Sequence, residues 1–220
     1  MKSKLLLVSL ALCAALPLAS HAQQRRAAPV PHWYAGIHGG VNDVKDWSAD
    51  VNFGGPTTAG ELRLDRGLHF GLMAGRRTEN ARFEVEYQHG RMDIDRMTLG
   101  GFSQAASGKG SYDALTVNAY RTFEVANRTT AYIGAGIGWG RVKLPTLPTI
   151  SGCNCFRGVS DDGLVYQLRL GAEYEIQNNQ HLLAQYTLLH VPGLGSGGAP
   201  SVEYSSKNIN IFSIGYRAGF

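Results

Sequence analysis

The sequence predicts an all-β fold, an eight-stranded antiparallel up-and-down transmembrane β-barrel. Three observations predict it. Apolar residues recur at every second position in eight segments, the links between those segments alternate between short and long, and the chain ends on an aromatic residue in phase with the last apolar face. A spacing of two is the period of a strand whose faces meet different surroundings. No long stretch keeps the i, i+3, i+4, i+7 spacing of an amphipathic helix.

Composition narrows the class. Charged residues make up 17% of the 220, below the quarter usual in soluble domains, and the 28 glycines are nearly twice the ordinary share. Disordered chains are charge-rich and aromatic-poor, and this chain is neither. The glycines lack the triplet period of collagen. Beyond the N-terminus no run of 18 apolar residues exists, which excludes a helical membrane bundle.

Residues 1–22 read as a secretory signal peptide. Lys2 and Lys4 precede an apolar run from Leu5 to Leu16, and Ser20-His21-Ala22 supplies small residues for cleavage before Gln23. Sec-type export is therefore expected. Without Lys2 and Lys4, 19 Lys and Arg face 17 Asp and Glu, a formal charge of +2. No run of basic residues stands out, so nucleic acid is not an expected partner. Residues 23–32, with Pro29 and Pro31, read as a periplasmic leader, and 33–220 as the barrel domain.

The strand segments are 33–46, 62–78, 81–97, 112–125, 129–144, 164–177, 181–191 and 203–220. In 164–177 the positions from Leu164 to Ile176 carry Leu, Tyr, Ala and Ile, while the alternate positions include Gln167, Arg169, Glu173 and Glu175. Phe83, Val85 and Tyr87 alternate with Arg82, Glu84, Glu86 and Gln88. Ile133, Ile137 and Trp139 alternate with Gly134, Gly136, Gly138 and Gly140. Turns at 79–80, 126–128 and 178–180 are tight and polar; links 47–60, 98–110, 145–162 and 192–202 are long and rich in Gly, Ser, Pro and Asn. Transmembrane barrels pair short periplasmic turns with long extracellular loops. A tilted strand of about 9–11 residues crosses a bilayer.

Parity alone does not separate this barrel from a soluble one whose apolar face turns inward. Charge favours the membrane form. Arg82, Glu84, Glu86, Arg169, Glu173 and Arg217 share the polar face, and inside a narrow eight-stranded lumen they can form an ionic network. Trp33, Phe83, Trp139, Tyr186, Tyr216 and Phe220 are candidates for aromatic girdles on the other face. Closure satisfies the backbone groups that lipid cannot.

The chain ends with Phe212, Ile214, Tyr216, Ala218 and Phe220 on one face. Together with Trp33-Tyr34-Ala35-Gly36, the repeat Ala131-Tyr132-Ile133-Gly134-Ala135-Gly136-Ile137-Gly138, Gly171-Ala172-Glu173-Tyr174 and the terminal Gly215-Tyr216-Arg217-Ala218-Gly219-Phe220, it resembles the eight-stranded outer-membrane β-barrel family of opacity-protein-like and OmpA/OmpX-type proteins. The resemblance spans 33–220. It implies a bacterial outer-membrane location, contact with outer-membrane lipid and lipopolysaccharide, and a monomer. It also implies recognition of Tyr216 and Phe220 by the barrel-assembly machinery, and a structural or surface-interaction role, such as adhesion or host contact, carried by extracellular loops.

Two alternatives are a lipid A-modifying enzyme and a narrow channel for ions or small solutes. His89 and His190 fall on the lipid-facing side near the outer leaflet and suit an interfacial anchor or a base. No His-x-Ser pair of the lipid A deacylase type accompanies them, so no catalytic residue is assigned and no enzyme activity is expected. His38 and His69 are expected in the lumen, near each other, and a metal site there would need further ligands. Asp93, Asp95, Asp161 and Asp162 are expected as solvated rim charge. No metal site and no cofactor is expected. Cys153 and Cys155, in the longest link, are read as a possible loop disulfide.

Overall fold

The computed structural model describes residues 32–147, 156–198 and 200–220. The expectations for the signal peptide, for 23–31 of the leader, and for Cys153 and Cys155 lie outside the described residues. His32, assigned to the leader, instead opens the first strand.

Among the described residues there are twelve strands and no helix. Eight form a closed ring: β1 (His32–Val44), β4 (Gly67–Arg77), β5 (Ala81–Leu99), β6 (Phe102–Ala126), β7 (Thr129–Leu144), β8 (Val159–Gln177), β9 (Gln180–Val191) and β12 (Lys207–Gly219). All neighbours in it are antiparallel, and the β5–β6 pairing completes the circuit. The turns after β4, β6 and β8 and both ends of the ring-forming chain gather at one end, here the lower end, while Gly100 and Gly101 turn β5 into β6 at the other. Arg128 and Asn179 take left-handed backbone in two of the lower turns, as tight antiparallel connections demand.

The register fixes the ring's slope. Paired residues can be followed from Ala131 through Ala172, Ala184, Ile214, Gly39, Phe70, His89 and Asp113 to Arg141. One circuit therefore climbs ten residues along β7, from 131 to 141. With 3.3 Å per residue and 4.8 Å between strands, that stagger tilts the strands by about 40°. The outward stretch from Thr129 to Trp139 then spans about 25 Å along the axis, the height of a lipid-facing band.

Three expected elements are corrected. Segment 62–78 is two strands, β3 (Thr57–Asp65) and β4; 203–220 is also two, β11 (Ser201–Tyr204) and β12; and three of the long links contain strand where loop is expected. Residues 47–60 hold β2 (Trp47–Asn52) and the start of β3, 98–110 extends β5 and β6, and 192–202 holds β10 (Leu194–Ser196) and the start of β11. Above the point where β1, β4, β9 and β12 stop, the wall continues as β10-β11-β2-β3-β5-β6-β7-β8. β3 takes over the edge of β5 that β4 leaves, pairing with it from Asp93 to Leu99. β10 lies beside the upper part of β8. The upper storey thus has eight strands of its own, four inherited and four new.

The faces fall as a membrane barrel requires. Leu68, Leu72, Val117, Ile133, Ile137, Leu168 and Ile214 are each more than half exposed on the outer wall, whereas charged side chains are enclosed. A soluble barrel reverses that arrangement. Trp33, Phe83, Trp139 and Phe220 are exposed on the outside, and Tyr186 and Tyr216 are outward and half-buried.

Candidate functional site

The expectation of a polar interior holds for the lower lumen only. There Arg82, Glu84, Glu86, Arg169, Glu173 and Arg217 are all at most 2% exposed. β5 supplies Arg82, Glu84 and Glu86 at alternate positions, β8 supplies Arg169 and Glu173, and β12 supplies Arg217. Glu86 is the hub. One carboxylate oxygen meets Arg169 Nη2 and His38 Nε2, both at 2.7 Å, and the other accepts from Gln167 at 3.0 Å and Asn118 at 3.1 Å. Glu84 accepts from the hydroxyls of Tyr34 at 2.9 Å and Tyr120 at 3.0 Å. Nearer the lower mouth Glu173 faces Arg77 at 2.6 Å, Arg217 at 2.9 Å and Arg82 at 3.0 Å. The Arg82 guanidinium lies over the rings of both Tyr120 and Tyr132, 4.4 and 4.3 Å from their centroids. Buried charges are tolerable only when paired and hydrogen-bonded in this way.

Above Glu86, His38 and His69 stand with ring centroids 5.1 Å apart, and His69 Nδ1 bonds the Tyr112 hydroxyl at 2.9 Å. The rings of His38 and Tyr112 occupy space left by glycines: a side chain at Gly71 would strike His38, and one at Gly90 would strike Tyr112. Among the described residues, no group of three His, Cys, Asp or Glu is placed to hold a metal ion.

The upper lumen is apolar, which corrects the expectation of polar filling throughout. Trp47, Val51 and Leu62 from the added strands meet Met92, Val142, Val165, Leu189, Val202 and Ile209 in one buried cluster. Trp47 is fully buried and donates its indole N–H to the Ser205 carbonyl at 2.7 Å. The cause is the upper storey itself. Four strands that never touch lipid turn their apolar faces inward, as in a soluble sheet, and the cavity they cover fills with hydrocarbon. The lumen is therefore closed twice, by an ionic layer and by an apolar one.

The outer rim carries the remaining candidates. His89 and His190 both point outward and are half-buried. His89 Nδ1 meets Asp113 at 2.9 Å, and the same carboxylate oxygen accepts from Tyr87 at 2.7 Å. His190 Nδ1 meets Asn208 at 2.7 Å, and its ring stacks on Tyr166 at 4.3 Å. The two histidines stand on separate strands with separate partners, and the structure does not bring them together. Trp139 donates to Asp162 at 2.7 Å, so this rim acid is tied to the aromatic belt rather than free. Among the described residues no hydroxyl group bonds the second nitrogen of His89, so the dyad with Asp113 lacks a nucleophile aligned with it. Tyr216 donates to Gln180 at 2.8 Å, and Phe220 is exposed at the lower end.

Gln167 and Tyr120 stand on faces that the sequence marks as inward, but Tyr34, Arg77, Asn118 and Tyr132 are supporting residues that sequence reasoning does not single out. The signal is parity: Asn118, Tyr120 and Gln167 lie on polar faces between residues that face lipid.

A family model described as the outer membrane protein beta-barrel domain matches residues 7–219. No curated protein matches the chain. Among solved structures, Neisserial surface protein A is 16% identical with a TM-score of 0.54, over 86% of this chain and 97% of that one. The outer membrane protease OmpT from Escherichia coli is 11% identical with a TM-score of 0.49, over 86% and 97%. Ail, the attachment invasion locus protein of Yersinia pestis, solved with the heparin analogue sucrose octasulfate, is 15% identical with a TM-score of 0.42, over 84% and 99%. The first similarity shows the fold alone; the other two are too distant to bear on it.

Proposed function

The chain belongs to the family of outer-membrane protein β-barrel domains, and from that premise we propose that it is a bacterial surface-contact protein whose working part is the upper storey. In this reading the chain is exported by the Sec route and assembled through its Tyr216 and Phe220 end. It stands as a monomer in the outer membrane and presents β2, β3, β5, β6, β10 and β11 to a neighbouring cell, host surface or matrix. One observation carries the proposal: the strands above the lipid band enclose their own apolar core, with Trp47, Val51, Leu62 and Val202 fully buried. A contact surface built on a rigid scaffold keeps its shape, and that lowers the ordering cost of binding. The double closure of the lumen weighs against a channel.

The test is adhesion by non-adherent cells that express the full chain. A variant with 47–65 replaced by a short turn should reach the surface but bind host cells or matrix at least tenfold less. Equal adhesion by both, or none by either, would remove the reading.

A second reading, a lipid A-modifying enzyme, rests on the His89–Asp113 pair alone, with no aligned nucleophile beside it. Mass spectrometry of lipid A from cells with and without the chain decides it, because identical spectra leave no such activity.

A further inference from the structure

We propose that the tips of the β2–β3 and β5–β6 hairpins form an apolar foot that enters the bilayer of a facing cell, one with zwitterionic headgroups. Phe53 and Phe102 are its anchors. Phe102, 86% exposed, is the most exposed large apolar side chain among the described residues, and Phe53 is 49% exposed. Every other exposed large apolar side chain among them belongs to the lipid-facing wall of the ring or to its lower end. Aromatic surface held in water costs free energy that an apolar medium recovers.

The rim around these tips carries no charge. Residues 51–60, 97–108, 144–147, 192–198 and 200–202 contain no Asp, Glu, Lys or Arg. The first charges below are Asp50, Glu61 and Glu203 on one side, and Arg96, Lys109, Lys143 and Arg157 on the other, nearly balanced in sign. An uncharged rim loses little hydration on leaving water, and the mixed charges behind it select neither an anionic nor a cationic surface. Both tips are preformed. Gly54, Gly100 and Gly101 take left-handed backbone. The Asn52 side chain accepts the Gly54 N–H at 2.7 Å, bracketing Phe53. The Gly100 N–H meets the Ala59 carbonyl at 3.0 Å and ties one hairpin to the other. The two turns stand two strand spacings apart, about 10 Å. Side chains so mounted give up little freedom on insertion.

Height and chemistry choose the occupant. Leu99, paired with Phe102, lies far up β5 from Tyr87 of the aromatic belt, about 30 Å along the axis at the ring's slope. The acyl chains of the membrane that holds the ring are therefore out of reach. Phenyl rings offer no polar handle to sugar hydroxyls, and 51–60 and 97–108 hold no Tyr, Trp or Arg to anchor a protein partner. Hydrocarbon of a second bilayer is the medium that suits both rings.

The inference names a partner for the surface-contact reading above and rests on it. Its test is co-flotation of the full chain, held in nanodiscs, with protein-free phosphatidylcholine vesicles. The chain should float at least tenfold more than empty nanodiscs, at about 0.1 M and about 0.5 M salt alike, because screening leaves an apolar contact intact. F53S/F102S should lose that advantage, and Lys109→Gln below the rim should keep it. In Phe102→Trp, brominated acyl chains in the vesicles should quench indole emission beyond any quenching of the parent. No flotation above empty nanodiscs, unchanged flotation of F53S/F102S, or no added quenching in Phe102→Trp would overturn the proposal. So would flotation that requires phosphatidylglycerol and vanishes at the higher salt, which assigns the contact to the basic residues below the rim. Adhesion that depends on 47–65 in a chain that binds no vesicles would point to a protein or glycan partner; it would overturn the foot and leave the surface-contact reading standing.

Discussion

Glu86 shows how a single carboxylate organises the lower lumen. It holds Arg169 and His38 on one oxygen and two amides on the other, so its removal leaves a guanidinium buried without its closest counter-charge. Breaking one side of a buried pair costs about 3–5 kcal/mol, whereas replacing both partners by apolar residues of similar volume is often neutral. Glu86→Ala should therefore destabilise the barrel by about that amount in guanidinium unfolding from bilayers, and Glu86→Met with Arg169→Met should restore most of it. A double variant as unstable as the single one would contradict the pairing. The sequence placed both residues on the inner face but could not pair them. They lie 83 residues apart on β5 and β8, strands that are not neighbours, and they meet only because the ring's stagger brings those levels together across the lumen. Parity is a local property of a strand, and stagger belongs to the closed ring.

The upper strands went unread for a related reason. Residues 102–110, Phe-Ser-Gln-Ala-Ala-Ser-Gly-Lys-Gly, look like loop because water covers their outer side and the inner positions are small. Their inner side is shallow so that partners can fill it: a side chain at Gly108 would meet Leu147, and one at Gly110 would meet Leu144. The apolar half of the pattern therefore sits on other strands, and no single window contains it. Trp47 is the clearest case, read as the first residue of a link and found at the centre of the apolar layer. Large-to-small changes of a buried Trp cost about 3–5 kcal/mol. Trp47→Ala should open 47–65 to protease on intact cells while the membrane ring stays resistant and heat-stable. Loss of both together would show one cooperative unit instead of two storeys. Tyr204 packs edge-on against Trp47 with centroids 6.2 Å apart, and burial pushes its hydroxyl pKa up, so the group stays neutral. Among the described residues no group bonds that hydroxyl oxygen. An unsatisfied buried hydroxyl costs about 1–3 kcal/mol, so Tyr204→Phe should leave the upper storey at least as stable as the parent in the same protease assay. Faster cleavage of Tyr204→Phe would mean the hydroxyl is bound after all.

At the scale of the whole molecule, everything depends on which side of the wall faces hydrocarbon. The lower ring turns ionic residues in and aliphatic ones out, and the upper storey does the reverse. The inversion begins near the height of Tyr87 and Trp139, and a few residues above it β1, β4, β9 and β12 stop and a different set of strands takes their place. One sheet thus serves two solvents, and the exchange of strands lets a polar lumen give way to an apolar one without a break in β5 to β8. This makes the effect of a charge depend on its height. Val117 sits on the outer face of β6 near the middle of the apolar band, and Thr57 is exposed on β3 above it. Arginine at the bilayer midplane costs about 2–4 kcal/mol in a lipid-facing position, whereas a surface change elsewhere stays within about 0.5 kcal/mol. Val117→Arg should therefore lower the folding free energy in phospholipid bilayers by that larger amount, and Thr57→Arg should leave it unchanged. In a barrel surrounded by water both would be silent, so equal stabilities for Val117→Arg and the parent chain would place the outer wall in solvent and remove the membrane from the description.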